Sequence, residues 1–160
     1  MEKIKVTEGD LVARDARIVI VAARFNEFVV ESLVKGALDC LRRHGAAEAD
    51  VEIVRVPGAY EMPLAVERIA ANRNADGIIA LGAVIRGGTP HFDYVAGECV
   101  RGLSAASLKH GVPVGFGVLT CDNEQQALDR AGLPGSTSRT TNVWPMTHPF
   151  MPVGPKTVGM

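Results

Sequence analysis

Four apolar runs rich in β-branched residues are the feature that most constrains how this chain folds. They cover residues 17–22, 51–56, 77–85 and 114–119. Such runs are typical of buried strands, and the connections between them are long enough for the helical crossovers that join parallel strands. We therefore predict an α/β protein, a three-layer α/β/α sandwich around a central parallel four-stranded sheet.

Helical periodicity in the connections supports this prediction. Apolar residues recur three and four positions apart after the first strand and predict one buried helix face, at Val30, Leu33, Val34, Ala37, Leu38 and Leu41. Gly45 would end this helix. Further helices are predicted at about residues 60–72, 90–110 and 123–130, the first of these three with Leu64, Ala65 and Ile69 buried.

The charge balance and the cysteines restrict the class of protein. Seventeen basic and eighteen acidic residues give a net charge of −1, which removes the general electrostatic argument for binding nucleic acid or an anionic membrane. The start lacks the apolar core of a secretory signal, and no apolar run reaches the roughly 20 residues that span a bilayer. Three cysteines without CxxC spacing and four histidines without metal-ligand spacing predict reduced packing cysteines and no metal. We expect a cytoplasmic protein.

The last thirty residues differ in composition from the rest of the chain. Residues 131–160 contain five of the nine prolines and no acidic residue. These prolines are spaced too closely for a regular helix. We predict one domain over residues 1–132, whose first twelve residues form an arm that is free or lends an edge strand to a neighbour. An irregular tail follows over residues 133–160.

Polar and glycine-rich segments follow each predicted strand. They include Phe25 and Asn26 after the first strand, residues 57–61 after the second, residues 86–91 after the third and Thr120 after the fourth. The carboxyl ends of parallel strands meet at one edge of a sheet, and ligands of open parallel sheets bind there. The sequence therefore predicts a binding site at this carboxyl edge.

The segment after the third strand allows two interpretations. Gly87–His91 could bind a phosphate at the start of a helix. The local pattern favours a tight turn, with Thr89 as the N-cap and Pro90 as the first helical residue, and both interpretations can hold together. His91 could act as a general base, or it could be a capping or packing residue.

The other candidate site residues also allow two interpretations each. Phe25 could stack on a flat heteroaromatic ring or pack at the edge of the core. Asn26 and Glu61 could bind hydroxyl groups or cap helices, and Arg130 could hold a phosphate or complement a helix dipole. The sequence contains no Walker loop, Rossmann GxGxxG or GxSxG elbow, so phosphoryl transfer, dinucleotide binding and serine hydrolysis lose their usual support.

Five motifs in the same order closely resemble those of the lumazine synthase family of riboflavin biosynthesis. They read ARFN at 23–26, VPGAYEMP at 56–63, LGAVIRGGTPHFDY at 81–94, GFGVLT at 115–120 and QALDRAG at 126–132. The resemblance covers about residues 10–132. It implies a flavodoxin-like sheet and the condensation of 5-amino-6-(D-ribitylamino)uracil with 3,4-dihydroxy-2-butanone 4-phosphate. The products would be 6,7-dimethyl-8-ribityllumazine, phosphate and water, with no cofactor and no metal.

The resemblance also implies roles for residues of the site. Phe25 would stack on the pyrimidine, and Phe116 would come from the adjacent subunit. His91 would move protons. The phosphate would be bound by Gly88, Thr89 and Arg130. The uracil and ribityl groups would be held by Asn26, Ala59, Tyr60, Glu61 and the backbone of Ala83, Val84 and Ile85.

The expected partners follow from the same resemblance. They are the two small-molecule substrates, further copies of this chain in a homo-oligomer built on pentamers with active sites between subunits, and riboflavin synthase. The family also allows an icosahedral capsid.

The tail departs from the family. There the chain continues through a Gly-Asn-Lys-Gly segment, whose lysine contacts phosphate, into an amphipathic helix that carries an acidic residue. Counting places Ser138 and Thr141 at these two positions. The resemblance therefore leaves an alternative, a non-catalytic or impaired assembly subunit that keeps the fold. Archaeal riboflavin synthase, which shares this fold, is a weaker third interpretation.

Overall fold

A sheet of four parallel strands lies at the centre of the fold. The computed structural model describes residues 4–6, 9–10, 12–72 and 75–134. The strands are β1 (Ile18–Ala23), β2 (Val51–Val56), β3 (Gly77–Ile85) and β4 (Val114–Cys121), in the order β2-β1-β3-β4. All six residues of the inner strand β1 are buried, as expected for a parallel strand covered on both faces. The four predicted strands are confirmed.

Four helices cover the two faces of this sheet. They are α1 (Glu27–Arg43), α2 (Met62–Ala71), α3 (His91–His110) and α4 (Glu124–Ala131), with a short 3₁₀ helix at Glu48–Asp50. One apolar cluster joins the sheet to α1 and α4, and a second cluster on the opposite face joins it to α2 and α3. The predicted three-layer α/β/α sandwich is therefore confirmed.

The burial of α1 follows the apolar stripe read from the sequence. Of the six predicted stripe positions, Leu38 is half-buried and the other five are buried: Val30, Leu33, Val34, Ala37 and Leu41. Val29 is buried as well. The helix ends as predicted, since Gly45 adopts a left-handed φ of 89° that a glycine accepts without strain.

The buried face of α2 differs from the prediction. Leu64 is 65% exposed, whereas Met62, Val66 and Ala70 are buried. The inward stripe therefore runs at a spacing of four residues from Met62, and the predicted Ala65 and Ile69 lie half-buried beside it. The prediction for Leu64 is wrong because the packing of α2 on the sheet and on α3 decides which side of a largely apolar helix turns inward.

The arm and the tail lie mostly outside the described residues. Of the predicted arm, only residues 4–6, 9–10 and 12 are described, and Ile4 and Val6 among them are exposed. The predicted tail is described only at Leu133 and Pro134, so the domain boundary at residue 132 stays a prediction. No helix in the described part of the chain is both long enough and apolar enough to cross a membrane.

Candidate active site

The loops that follow β1, β2 and β3, together with the end of β3 and the start of α3, line a cleft of about 620 Å³ at the carboxyl edge of the sheet. This volume lies in the range typical of small-molecule sites. Most of the residues predicted from the sequence line the cleft: Phe25, Ala59, Tyr60, Glu61, Ala83, Val84, Ile85, Thr89 and His91. Parallel pairing explains why they meet, since it brings segments that are distant in the chain to the same edge.

Phe25 lies on the loop after β1 and presents its ring to solvent. The side chain is 71% exposed, so it is not the core-edge residue of the alternative interpretation. Two backbone hydrogen bonds hold its loop against the β2 loop: Arg24 N–H donates to the carbonyl of Val56 at 2.8 Å, and Phe25 N–H donates to that of Pro57 at 3.0 Å. An aromatic ring held on a cleft wall by rigid backbone can stack on a flat ligand.

Asn26 joins β1 to β3. Its backbone is left-handed, with φ 57° and ψ 43°, a conformation that asparagine tolerates better than most residues. It stands at the start of α1 without forming a side-chain cap. Its Nδ2 instead donates to the carbonyl of Ala83 at 2.8 Å. Asn26 therefore helps to orient the β3 backbone that lines the cleft, and its predicted contact with ligand hydroxyl groups stays a prediction.

Glu61 supplies a carboxylate to the wall formed by the β2 loop. It occupies the position just before α2 and makes no side-chain cap. A Cβ atom added at Gly58 would lie 3.3 Å from Glu61 Oε2, closer than ordinary van der Waals contact. Glycine at this position therefore leaves space for the carboxylate to occupy the cleft.

The first turns of α3 form the opposite wall. His91 is the first helical residue, and the N-cap is Pro90 rather than Thr89, so the predicted cap is displaced by one residue. Pro90 has an αR backbone and lacks a side chain that could cap, while Asp93 N–H donates to its carbonyl at 3.0 Å. Thr89 and His91 thus stand together at the positive end of a 20-residue helix, which favours an anion.

Four predicted residues are not on the walls of this cleft: Asn26, Gly88, Phe116 and Arg130. Gly88 lies in the same turn as Thr89. Phe116 is in β4, where it is 39% exposed. Arg130 is in the last turn of α4, where its Nη1 donates to the carbonyl of Gln126 at 3.3 Å.

Sequence reasoning missed several residues of the cleft. Pro57, Gly58 and Gly87 belong to loops that it had singled out, but Phe92, Tyr94 and Val95 were not assigned to the site. Their position in the chain could have identified them. They lie in the first two turns of α3, directly after a loop that lines the cleft, and can therefore face the same space as that loop.

Arg86 belongs to the predicted segment 86–91 but was given no role there, and it is held by several contacts. Its two terminal nitrogens face the Asp93 carboxylate, at 3.2 and 3.4 Å, and its Nε lies 3.4 Å from Asp122 Oδ1. Its guanidinium carbon sits 4.1 Å from the centre of the Phe92 ring. The hydrogen bond with Asp93 raises the pKa of Arg86 above its usual value, so the side chain stays cationic.

The cleft and its surroundings lack a cluster of side chains suited to a metal, as far as the described residues go. Across residues 12–72 and 75–134 and the few described residues before them, no three His, Cys, Asp or Glu side chains lie together as metal ligands would. The expectation that the reaction needs neither metal nor cofactor stays a prediction.

Comparison with known proteins points to one family. The family model of 6,7-dimethyl-8-ribityllumazine synthase matches residues 15–143. A curated relative, the 6,7-dimethyl-8-ribityllumazine synthase of Desulfovibrio desulfuricans, is 55% identical over 132 residues. The match covers 82% of this chain and 85% of the relative.

Proposed function

The chain belongs to the 6,7-dimethyl-8-ribityllumazine synthase family, and from this premise we propose how its own residues serve the reaction. It is an enzyme of riboflavin biosynthesis, a transferase that condenses 5-amino-6-(D-ribitylamino)uracil with 3,4-dihydroxy-2-butanone 4-phosphate. The observation that carries the proposal is the single cleft that collects an exposed aromatic ring, a carboxylate and a histidine at a helix start.

The ring-binding half of the cleft suits the uracil substrate. Phe25 stacks on the pyrimidine, and Glu61 binds hydroxyl or amine hydrogens of the ribitylamino group. The backbone of Ala83, Val84 and Ile85, with Ala59 and Tyr60 opposite, holds the polar edge of the ring. Support comes from the exposure of Phe25 and from the hydrogen bond of Asn26 to Ala83, which keeps this backbone in place.

The start of α3 suits the phosphorylated substrate. Gly88 and Thr89 bind the phosphate where the helix dipole favours negative charge. Arg130 neutralises the same group. Because Arg130 and Phe116 are not on the cleft walls of their own chain, they reach the cleft of a neighbouring chain in this proposal.

His91 moves protons during the condensation. The uracil amine attacks the ketone, and loss of water gives a Schiff base. Phosphate then leaves by elimination, and the second amine closes the ring with loss of a further water. A histidine side chain can act as general base in one step and as general acid in the next. Holding both substrates in a cleft with apolar walls supplies much of the remaining rate enhancement.

An oligomer follows from the family, and we propose that it is a homopentamer, with an icosahedral capsid as its larger form. Support comes from the large apolar side chains that α2, α3 and their loops leave exposed, which are Tyr60, Leu64, Tyr94 and Leu108. A partnership with riboflavin synthase is part of the same proposal. We also propose a cytoplasmic location. The three cysteines form no disulfide, which supports it, because disulfides are rare in that compartment.

The direct test mixes the purified full-length chain with both substrates. We expect the absorbance of the lumazine to appear, together with one phosphate for each lumazine formed. Omitting either substrate is the control. Phosphate release without lumazine, or no product with both substrates present, would contradict the proposed function.

A further inference from the structure

Arg86, the first residue after β3, connects three parts of the carboxyl edge. Its backbone N–H donates to the carbonyl of Cys121 at the end of β4, at 2.8 Å. Its guanidinium reaches Asp122 in the loop after β4 and, through two nitrogens, Asp93 in the first turn of α3. The same group stacks on Phe92, which lines the cleft. Paired contacts of this kind with a carboxylate fix the orientation of the guanidinium as well as its position.

The turn that Arg86 precedes has little packing of its own. A Cβ atom added at Gly87 or Gly88 would meet nothing within 4 Å, so neighbouring side chains do not define where these residues lie. The conformation of the turn must therefore depend on its two ends. Arg86 anchors one end to β4, and through Asp93 and Phe92 it also anchors the helix turn that forms the other end.

Charge gives Arg86 a second effect on the same turn. Asp93 and Asp122 place two carboxylates beside the start of α3, where the proposed function puts a phosphate. The guanidinium lies between them, within 3.4 Å of each, and neutralises both in part. Without it, these carboxylates would repel an anion that the helix start attracts.

We propose that Arg86 is a positioning residue of the phosphate site: it fixes Gly87–Thr89 and the first turn of α3, and it balances the charge of Asp93 and Asp122. Arg86 is not on the cleft wall, so it acts through these neighbours and not by touching the substrate. The inference rests on the proposed function in that the anion is taken to be the phosphate of the butanone substrate.

The test replaces Arg86 by Met and by Lys and compares both variants with Arg101→Met. Arg101 is also on α3 and also pairs with a carboxylate, that of Glu98, but it is not on the cleft. For Arg86→Met we expect the KM for butanone phosphate to rise about tenfold and the KM for the uracil to change by less than about twofold. The KM for butanone phosphate of Arg86→Lys should lie between those of wild type and Arg86→Met, because lysine keeps the charge but lacks the planar guanidinium. Arg101→Met should match wild type.

A merely structural role would give a different pattern. If Arg86 only supported the fold, both variants would lower the melting temperature and reduce kcat with each substrate alike, without a selective change in the KM for butanone phosphate. That result would overturn the proposal, as would equal KM values for Arg86→Met and wild type. If Arg86→Met does not fold, the selective KM change in Arg86→Lys decides.

A double variant tests whether Arg86 acts through Asp93. The KM for butanone phosphate of the Arg86→Met, Asp93→Asn double variant should be no higher than that of Arg86→Met alone, because the carboxylate that Arg86 orients and neutralises is already gone. If the two substitutions instead raised this KM by the product of their single effects, the residues would act independently, and the proposal that Arg86 acts through Asp93 would be overturned.

Binding of inorganic phosphate, followed by titration calorimetry, separates this inference from the proposed function. We expect phosphate to bind the Arg86→Met variant about tenfold more weakly than wild type and to bind Arg101→Met as wild type does. A wild-type chain that binds phosphate but forms no lumazine would contradict the proposed function and leave the role of Arg86 supported. Equal phosphate binding by wild type and Arg86→Met, or binding by neither, would overturn the role of Arg86.

Discussion

Single side chains of α3 differ in chemistry because their surroundings differ. Cys99 and His91 belong to the same helix, yet Cys99 is fully buried and His91 is exposed on the cleft wall. Burial raises the pKa of the Cys99 thiol to about 11, so it stays protonated and serves as a packing residue. His91, which lies on the cleft wall, is the residue of α3 to which we assign proton transfer.

His91→Ala should lower kcat for lumazine formation by about 10²-fold to 10⁴-fold, the usual contribution of a positioned acid–base group. The KM values should change much less, because the ring and phosphate contacts remain. Steady-state kinetics with both substrates measures this. The matched control is His44→Ala, at the C-terminal end of α1, which should keep the wild-type rate. Near-normal turnover in the His91 variant would remove His91 from the mechanism.

Among the elements, α2 and α3 approach each other at a glycine. A Cβ atom added at Gly102 would lie 2.4 Å from Cβ of Pro63, a ring that cannot rotate away. Gly97, earlier in the same helix, has nothing within 4 Å of such an atom. The two glycines thus share a helix and differ in packing, which makes them a matched pair.

Gly102→Ala should lower the free energy of unfolding by about 1–3 kcal/mol, because overpacking outweighs the better helix propensity of alanine. Gly97→Ala should raise it, by up to about 1 kcal/mol, because only the propensity changes. Thermal or urea unfolding of both variants measures the difference. Equal stability of the two would show that α2 can move away from α3 at little cost.

A charge cluster joins the same two helices further along. Glu67 Oε1 accepts hydrogen bonds from Lys109 Nζ at 2.6 Å and lies 2.9 Å from His110 Nε2. The hydrogen bond from Lys109 and, to a smaller extent, the one from His110 lower the pKa of Glu67 below its usual value. The carboxylate therefore stabilises the folded chain.

Replacement of Glu67 by Gln should therefore have a pH-dependent effect. A carboxyl whose pKa is lower in the folded than in the unfolded chain stabilises the fold above its unfolded pKa, and this contribution is lost as the pH falls through the folded pKa. Glu67→Gln should be less stable than wild type at about pH 6, and the difference should shrink below about pH 4. Urea unfolding across this range measures it, with Lys109→Met expected to reduce the same pH dependence. A difference that does not change with pH would contradict the assignment.

For the whole molecule, the decisive question is whether an active site is shared between chains. Phe25 lines the cleft of its own chain, and Arg130 does not. Mixed oligomers of Phe25→Ala and Arg130→Ala subunits should therefore regain a fraction of wild-type turnover, since some clefts receive an intact Phe25 from one chain and an intact Arg130 from another.

The control for this experiment mixes Phe25→Ala with Glu61→Ala. Both residues line the same cleft, so every site in such a mixture lacks one of them. We expect no recovery there. Once exchange of subunits is verified, equal activity of the two mixtures would show that Arg130 does not act across the interface.

The strands and helices were predicted well from the sequence because each depends on the types and spacing of residues that are close together in the chain. The run of Val and Ile before Ala23 predicts a strand wherever it lies, and the spacing from Val30 to Leu41 predicts one buried helix face. Leu64 was misassigned for the opposite reason. An apolar helix such as α2 has several faces that fit the pattern, and only contact with α3 selects one.

The positions of the strands along the chain, the apolar periodicity and the loop residues after each strand were therefore readable from the chain alone, because each depends on neighbours a few residues away. The bond from Asn26 to Ala83 and the contact of Arg86 with Asp122 were not. These join residues 57 and 36 positions apart in the chain, which meet only when the sheet pairs. A side chain's partner across such a distance is set by the register and twist of the sheet, which only the folded structure shows.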